Sequence, residues 1–366
     1  MMKIVVIGTR GFPRIMGGVE THCEELFTRI AGRGHDVTVI RRSPYINHTN
    51  RIKEYNGVKL IDVYAPKIKS AEAIVHTFLS IIKAKKLRPD ILHVHAIGPS
   101  VLVPFAKMLG LNVVVTNHGP DYNRQKWGRF AKFVLRTGEK FGSRFADRVI
   151  VISRAIAESL AEKYARNDTD LIFNGVNPPP PSQSSTLLQT WGLEKRKYIF
   201  AAGRFVKEKG FHDLIDAFKL SGLAKQGYRL VIAGDADHDD DYSRQLKMKA
   251  KEADVVLTGF IKGEPLSQLM ANAALFVIPS YHEGLPITLL EAMSFGIDVL
   301  ASDIRANSLP ELDASSDFFP TGNVNKLSEA ILAKISNPRH RNFDLSAYDW
   351  NNIADQTIEV YKKVLN

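Results

Sequence analysis

The sequence predicts an α/β protein built from two doubly wound domains. Short apolar runs of strand length alternate with helical patterns along the whole chain, an order typical of βαβ units. A length of 366 residues exceeds what one hydrophobic core usually supports, and a proline-rich segment interrupts the alternation near the middle. Two such domains usually leave a cleft, and the carboxyl ends of the strands face it from both sides.

The first half begins with a strand, a glycine-rich loop and a helix. The helix is predicted to begin near Val19 and to extend over VETHCEELFTRIAGRG. The apolar runs predicted as strands in this half are KIVVIG (3–8), DVTVIRR (36–42), VKLIDV (58–63), DILHVHA (90–96), NVVVTNHG (112–119) and DRVIVIS (147–153).

The second half repeats this scheme. Pro286 suits the first position of a short helix running to Phe295, because its missing N–H would have no helical partner there. Gly296 suits the position just past the helix end. The predicted strands are KYIFAAGR (197–204), YRLVIAGD (228–235), DVVLTGF (254–260), ALFVIPS (274–280) and DVLASD (298–303).

The segment NGVNPPPPSQSS (174–185) is predicted to link the two domains. Its four prolines forbid a helix and its serines favour solvent. We therefore place one domain at 1–175 and the other at 186–349. The last helix, at about 350–366, is a candidate to pack on the first domain, and the sequence leaves this open.

Composition and charge restrict the location and the partners. The single cysteine, Cys23, excludes an internal disulfide and fits a reducing compartment, so we expect a cytoplasmic protein. KIVVIG is too short for a signal peptide, and no apolar run is long enough to span a bilayer. Residues 1–180 hold 28 Lys and Arg against 15 Asp and Glu, whereas the remainder holds 21 against 24. A basic first half favours an anionic partner such as a phospholipid surface, a nucleic acid or a phosphorylated substrate.

The loop GTRGFPRIMGGVE (8–20) is the first candidate binding segment. Gly17 and Gly18 precede the helix, and glycines let backbone amides approach a phosphate or sugar that a Cβ would block. The loop fits neither GxGxxG nor the P-loop, which disfavours dinucleotides and nucleoside triphosphates. The alternative is a turn that only requires positive φ.

Histidines follow or occupy two of the predicted strands. His118, in TNHGPDY (116–122), can exchange hydrogen bonds or a proton with a polar ligand at neutral pH, although a structural histidine is the alternative. His93 and His95 share one face of a strand, an arrangement that also occurs in metal sites. Because no carboxylate or cysteine stands at ligand spacing, we interpret them as packing residues and predict no metal site.

Two cations lie at the next strand end. In GRFVKEKGFHDLI (203–215), Arg204 ends a strand and Lys209 stands just before a helix. A guanidinium, an ammonium and free helix amides together form a clamp for a diphosphate. Lys207 and Glu208 are interpreted as ordinary loop charges.

Two carboxylates flank the segment EGLPITLLE (283–291). Glu283 lies in the loop after a predicted strand, and Glu291 lies in the second turn of the short helix. Most surface glutamates are only solvated, but this helix also buries Leu289, Leu290 and Met293, so the position of Glu291 indicates a partner. Cations and amides for a diphosphate, with carboxylates for hydroxyl groups, match the parts of a nucleoside-diphosphate sugar.

These motifs resemble those of the retaining glycosyltransferases of family 4, which have the GT-B fold. GGVE, NHG, GR(x4)KG and E(x7)E occur in the family's order over nearly the whole chain, and E(x7)E with the upstream Arg and Lys is the most specific part. The resemblance implies two Rossmann-like domains facing an interdomain cleft. The first would bind the acceptor and the second the nucleotide sugar, in an enzyme of bacterial polysaccharide or lipid-linked glycan synthesis.

The resemblance also implies a role for each matching residue. In the second domain, Arg204 and Lys209 would hold the donor diphosphate, Glu291 the ribose hydroxyls and Glu283 the transferred sugar. The remaining substrate-binding candidates are Gly284 and Leu285 beside Glu283, the amides of Gly17 and Gly18 near the phosphates, and His118 near the sugar ring. The catalytic candidates are Glu283, His118, Arg204 and Lys209. No metal or other cofactor is expected, because the clamp neutralises the leaving nucleoside diphosphate.

Two segments depart from the family pattern. The family often has a glycine-rich segment with a glutamate where this chain reads ASDIRANSLPEL (301–312), and whether Arg305, Asn307 or Glu311 takes that role stays open. The loop GDADHDDDY (234–242) contains Asp-x-Asp, which binds a metal in other glycosyltransferases. We interpret it here as a solvated surface loop.

The expected reaction is transfer of a hexose or deoxyhexose, with retention, to a glycan or lipid-linked acceptor. An anionic membrane surface is a candidate partner, because YNRQKWGRFAKFVLRTGEKFGSRFADR (122–148) interleaves basic and aromatic residues. A second basic stretch is IKSAEAIVHTFLSIIKAKKLR (68–88), and the alternative for both is an ordinary βαβ helix with its apolar face on the sheet. Peripheral binding to the inner face of the cell membrane would follow.

Three other functions compete with this one. A nucleotide-sugar epimerase of the same shape would need a donor but no acceptor. A basic nucleic-acid-binding protein would explain the charge of the first half, but no recognition motif accompanies it, so we expect no nucleic-acid partner. A nicotinamide dehydrogenase would require the missing GxGxxG.

Overall fold

The computed structural model describes residues 1–67, 71–120, 122, 128–179, 184–236 and 240–366. They form two compact units: unit 1 comprises Met1–Gly175 and Ala347–Asn366, and unit 2 comprises Val176–Ser346. Residues 347–349, predicted in the second domain, therefore belong to unit 1, where the buried Tyr348 packs on Phe173. Residues 180–183 of the predicted linker lie outside the described residues.

The strands follow the predicted apolar runs closely. In unit 1 they are β1 (Lys3–Ile7), β2 (Asp36–Arg42), β3 (Glu54–Tyr55), β4 (Val58–Val63), β5 (Ile91–His95), β6 (Val113–Asn117), β7 (Arg148–Val151) and β8 (Asp170–Leu171). In unit 2 they are β9 (Tyr198–Ala202), β10 (Arg229–Ala233), β11 (Val256–Leu257), β12 (Leu275–Ile278), β13 (Val299–Ser302) and β14 (Phe318–Phe319).

Helices connect most of these strands. They are α1 (Gly18–Gly32), α2 (Glu72–Leu87), α3 (Val103–Met108), α4 (Arg129–Phe145), α5 (Arg154–Tyr164), α6 (Phe211–Ser221), α7 (Asp241–Glu252), α8 (Glu264–Asn272), α9 (Ile287–Ser294), α10 (Val324–Ser336) and α11 (Trp350–Leu365).

Unit 1 is built on one sheet with the strand order β3-β4-β2-β1-β5-β6-β7-β8. Its pairs are parallel except for β3 with β4. Continuous apolar runs such as that of β1 are buried throughout, as a parallel sheet covered on both faces requires. The C-terminal helix α11 belongs to this unit, and its Trp350 and Tyr361 pack in one core with Phe27 of α1.

Unit 2 is built on a parallel sheet with the order β11-β10-β9-β12-β13-β14. The chain runs from β9 outward to β11 on one side and then returns to place β12 on the other side of β9. The order therefore reverses between β9 and β12. In open α/β sheets, ligands bind outside the carboxyl ends of the strands at such a reversal. Both sheets confirm the predicted α/β class with two Rossmann-like units.

Two local predictions require correction. Pro286 is the residue that precedes α9, with an extended backbone (φ −74°, ψ 111°), and Ile287 is the first helical residue. The strand predicted over 254–260 is limited to Val256–Leu257, because it lies at the edge of the sheet and pairs only with β10.

Candidate active site

The strongest candidate site lies where the strand order of unit 2 reverses. β9 and β12 are adjacent and parallel, so the segments that follow them meet at one edge of the sheet. The first segment contains Arg204 and Lys209, and the second contains Glu283 and leads into α9 with Glu291. The structure thus places the predicted donor residues of unit 2 on two neighbouring connections.

Lys209 and Glu283 form an ion pair in this site. The Nζ atom of Lys209 lies 2.6 Å from Oε1 of Glu283, and both side chains are largely buried. Ser280 donates its hydroxyl to the same carboxylate oxygen at 2.6 Å. Both bonds end on Oε1, so Oε2 is the carboxylate oxygen that can accept a bond from a ligand hydroxyl.

The electrostatic setting keeps Glu283 ionised. Burial alone would raise the pKa of Glu283, but the charge of Lys209 and the hydrogen bonds from Lys209 and Ser280 outweigh burial and lower that pKa. At neutral pH the group is therefore a carboxylate that accepts hydrogen bonds, and it supplies no proton.

A tight turn brings Lys209 to this position. Residues Lys207–Lys209 form one turn of 3₁₀ helix that ends at Gly210, where φ is +67°. A Cβ on Gly210 would lie 2.0 Å from the carbonyl oxygen of Pro279, so only glycine permits this approach of the two connections. The amide of Tyr281 also donates to the carbonyl of Glu208 at 2.8 Å, which ties the segments together.

Glu208, interpreted from the sequence as an ordinary loop charge, is buried. The turn directs it inward and leaves it only 8% exposed, whereas the neighbouring Lys207 is exposed as expected. Arg204 and Glu291 are partly buried, and Leu285 is buried, so Leu285 can offer a ligand only its backbone.

In unit 1, the glycine loop closes against a buried carboxylate. Gly17 precedes α1, which begins at Gly18, and a Cβ on Gly17 would lie 2.0 Å from Oε2 of Glu20. Glu20 accepts hydrogen bonds from Thr9 Oγ1 and from the amide of Arg10, which holds the loop in place. A Cβ on Gly18 would meet no described atom within 4 Å, so a ligand could approach the first amides of α1 there.

His118 belongs to a cluster of histidines at the strand ends of unit 1. Its Nε2 atom lies 3.0 Å from Nδ1 of His95, and its ring meets that of His22 edge-on at 4.8 Å. His22 Nδ1 donates to Oδ1 of Asn174 at 2.9 Å, since an amide oxygen can only accept. Burial, followed by repulsion from a neighbouring imidazole, lowers the pKa of His22 and of His118 to about 3, so both rings are neutral at pH 7.

The two strand histidines differ in their contacts, and the interpretation of both as packing residues stays a prediction. His93 is paired on both ring nitrogens, with Tyr361 and with Thr116, as a structural residue would be. His95 joins His22 and His118 in a group whose ligand atoms lie within 4.8 Å of one another and could hold a metal ion. Sequence reasoning missed His22, because it lies on α1 and no local spacing connects it with β5 or β6.

Two family models match consecutive parts of the chain. Residues 16–179 match Glycosyltransferase Family 4, and residues 185–348 match Glycosyl transferases group 1, so the matches span most of the sequence. The chain belongs to the family 4 glycosyltransferases. The enzyme is 26% identical to an uncharacterized glycosyltransferase of Methanocaldococcus jannaschii, over 99% of this chain and 98% of that protein.

Solved structures show the same fold for this glycosyltransferase. Sucrose-phosphate synthase of Thermosynechococcus elongatus is 21% identical with a TM-score of 0.81, and the match covers 100% of this chain and 99% of that one. HepE of Anabaena, in complex with UDP and glucose, is 20% identical with a TM-score of 0.80, and the match covers 99% and 100% of the two chains. The fold is that of the GT-B glycosyltransferases, with two Rossmann-like domains.

The enzyme also presents apolar side chains to solvent on α4. Phe130 and Phe133 are 74% and 66% exposed, and Phe145 is exposed as well. The exposed basic residues of the same helix are Arg129, Arg136, Lys140 and Arg144. We call these seven residues the α4 surface. The opposite face of α4 is closely packed, because a Cβ on Gly138 would lie 2.0 Å from the carbonyl oxygen of Ile97.

Parts of the two basic stretches and of the loop with Asp-x-Asp lie outside the described residues. These parts are residues 68–70, 123–127 with Lys126 and Trp127, and 237–239 with Asp237. In the described part of the chain, no helix is both long and apolar enough to cross a membrane.

Proposed function

We propose that this glycosyltransferase transfers a hexose or deoxyhexose from a nucleoside-diphosphate sugar to a glycan or lipid-linked acceptor, with retention of the anomeric configuration. The observation that supports it most is the pair of Lys209 and Glu283 at the ends of β9 and β12. The complex of HepE with UDP and glucose, in a protein of the same fold, supports a nucleotide-sugar donor.

In this proposal unit 2 binds the donor. Lys209 and Arg204 neutralise the diphosphate, and Glu291 accepts bonds from the ribose hydroxyls. Glu283 holds Lys209 in place through Oε1, which leaves Oε2 to accept a bond from a hydroxyl of the sugar. A cation that is fixed before the donor binds needs little reorganisation as charge develops on the leaving diphosphate. Gly284 and the backbone of Leu285 line the sugar site beside Glu283.

Unit 1 binds the acceptor and completes the contacts to the donor. The amides of Gly17 and Gly18 are the phosphate contacts that the motif match suggests, and the start of α1 is open to a ligand at Gly18. His118 contacts the sugar ring as a neutral hydrogen-bonding group, since burial keeps its pKa near 3. A neutral imidazole can orient a hydroxyl group without supplying a full positive charge.

The reaction needs no protein nucleophile in this proposal. The bond between the anomeric carbon and the diphosphate oxygen breaks while the acceptor oxygen forms its bond on the same face of the sugar. The departing phosphate oxygen takes the acceptor proton, and the products are a glycoside and a nucleoside diphosphate. Because Arg204 and Lys209 supply the positive charge, we propose that no metal is required, and EDTA should leave kcat/KM unchanged.

Assays with UDP-, GDP- and dTDP-sugars test the proposal. With a glycan or lipid-linked acceptor, one donor should be consumed, and NMR of the product should show the anomeric configuration of that donor. R204A should lower kcat/KM by about 10²–10³-fold with an unchanged melting temperature, the loss expected for one charge-stabilising donor. Unchanged kcat/KM in R204A would contradict the proposed site, and an isomerised donor formed without acceptor would indicate the epimerase.

We also propose that the α4 surface binds an anionic membrane, so that the enzyme acts at the cytoplasmic face. Phenylalanines flanked by Arg and Lys suit a helix lying at the level of the lipid headgroups. A βαβ helix that only covers its sheet would bury its aromatic residues, and Phe130 and Phe133 are exposed instead.

Vesicle sedimentation tests this part. The wild type should sediment with phosphatidylglycerol vesicles, and salt should weaken the binding. The double variant F130S/F133S should lose most of this vesicle binding. M108S removes another exposed apolar side chain, on α3, and should bind as the wild type does. If the same amount of enzyme sedimented with neutral phosphatidylcholine vesicles as with phosphatidylglycerol vesicles, this would contradict an electrostatic attraction.

A further inference from the structure

The segment at 301–312, which departs from the family pattern, contains a buried asparagine. Asn307 is fully buried in a turn that follows β13. Its Nδ2 group donates to the carbonyl of Ser302 at 2.9 Å and to the hydroxyl of Ser302 at 3.0 Å. Because that hydroxyl accepts from Asn307, its own proton points elsewhere, and it donates to the carbonyl of Ser280 at 2.5 Å.

Ser280 connects this group to the candidate site. It is fully buried at the end of β12, and its hydroxyl donates to Oε1 of Glu283 at 2.6 Å. Asn307 thus fixes Ser302, Ser302 fixes the backbone at Ser280, and Ser280 holds the carboxylate that pairs with Lys209. The bonds run without interruption from β13 across to the connection after β12.

One atom of Asn307 stays unpaired among the described residues. Its Oδ1 atom is buried and has no hydrogen-bond partner there. Rotating the amide would not relieve this, because the carbonyl of Ser302 only accepts and must face the NH₂ group. A buried acceptor without a partner is unfavourable, and the two bonds donated by Nδ2 offset this cost.

From this geometry we propose that Asn307 is a positioning residue for Glu283, acting through Ser302 and Ser280. Its significance for catalysis depends on the proposed role of Glu283 in holding the sugar and Lys209. Among Arg305, Asn307 and Glu311, the proposal assigns this positioning role to Asn307. The geometric claim itself can be tested without any substrate.

The first test measures hydrogen exchange at the amide of Tyr281, which donates to the carbonyl of Glu208 and reports on the connection after β12. N307A should speed exchange there by about tenfold or more, because the backbone at Ser280 loses its support. N112A is the matched control, since Asn112 donates to the carbonyl of Asp90 in unit 1 and its loss should leave this amide unchanged. If N307A does not fold, S302A breaks the same series of hydrogen bonds by removing a single oxygen atom. Wild-type exchange in the folded variant would overturn the proposal.

The second test is a double-variant cycle on kcat/KM for the donor. N307A and S280A should each lower kcat/KM by about ten- to a hundredfold, because a slightly displaced carboxylate misplaces the sugar and Lys209. The double variant should lose no more than the worse single variant, since both act through Glu283. Fully additive losses would overturn the proposal. If the wild type used no nucleotide sugar while exchange still rose in N307A, the proposed function would fail and the positioning role would stand.

Discussion

Lys209 and Glu283 are opposite charges that the fold holds in contact, although 74 residues separate them in the chain. Leaving either one buried alone would be costly, whereas the pair satisfies both before a substrate arrives. The same contact orients a cation for a diphosphate and a carboxylate for a hydroxyl. Stability and proposed function therefore depend on one ion pair.

E283Q should reveal the contribution of this pair to stability. At pH 7 we expect the free energy of unfolding to fall by about 1–3 kcal/mol, because Lys209 loses a charged acceptor. The lowered pKa of Glu283 means that its stabilisation is present above the unfolded-state value of about 4.3 and is lost as the pH falls through the lower folded-state value. Urea titrations of wild type and variant should therefore converge once the pH has fallen through the lowered pKa of Glu283. A difference that persists there would show that packing, and not charge, is responsible.

The buried histidines predict a different dependence on pH. The pKa of His118 is lowered to about 3, so between pH 6.5 and pH 3 the unfolded chain binds a proton at this position that the folded chain does not. The contribution of each such histidine to the free energy of unfolding is therefore fully present above pH 6.5. It declines as the pH falls, by up to about 1.4 kcal/mol per pH unit. H118N should show a shallower decline between pH 7 and pH 5 in urea titrations.

The exposed His48 provides the control for this prediction. H48N removes an imidazole without altering the buried cluster, so its decline should match that of the wild type. If the stability of H118N declined with pH as steeply as that of the wild type, this would contradict a neutral, partly buried His118.

At the scale of elements, the turn between β9 and α6 determines where Lys209 lies. Gly210 directly precedes α6 and Gly222 directly follows it, and both have φ of +67°. A Cβ at Gly210 would collide with the carbonyl of Pro279, whereas a Cβ at Gly222 would meet no described atom within 4 Å. The two glycines thus share their backbone conformation and differ in contacts.

G210A and G222A separate backbone strain from this contact. Both variants should lose stability because alanine is strained at this φ, by about 1 kcal/mol. Only G210A should also lower kcat/KM, because it forces apart the connections that carry Lys209 and Glu283. Thermal melts and donor kinetics measure the two effects, and equal kcat/KM in both variants would count against the importance of this approach.

For the whole molecule, continuous apolar runs such as KIVVIG and ALFVIPS were sufficient to predict the strands that are buried on both faces. The two-residue strands β3, β8 and β14 were not predicted, because they lie at sheet edges where pairing, and not local pattern, defines them. Sequence motifs indicated Lys209 and Glu283 as separate ligand contacts. Their contact with each other depends on the order of β9 and β12, which no local pattern contains.

Sequence analysis missed His22 and left Asn307 as one of three candidates for the same reason. His22 approaches His118 only because α1 and β6 are brought together in unit 1. Asn307 reaches Glu283 only through Ser302 of β13 and Ser280, which follows β12. Residues that act through another strand have no fixed spacing from the residue they support, so a motif search does not detect them.

The most direct test of the central claim is calorimetry of free UDP, GDP and dTDP with wild type, K209A and K207A. Lys207 and Lys209 lie on one turn, but only Lys209 is paired with Glu283 in the described part of unit 2, and Lys207 is exposed. One of the three diphosphates should bind the wild type. K209A should raise the Kd of that diphosphate about tenfold or more, as expected for a lost charged contact. K207A should bind it with the Kd of the wild type. Equal Kd values for wild type and K209A would contradict a diphosphate site at the ends of β9 and β12.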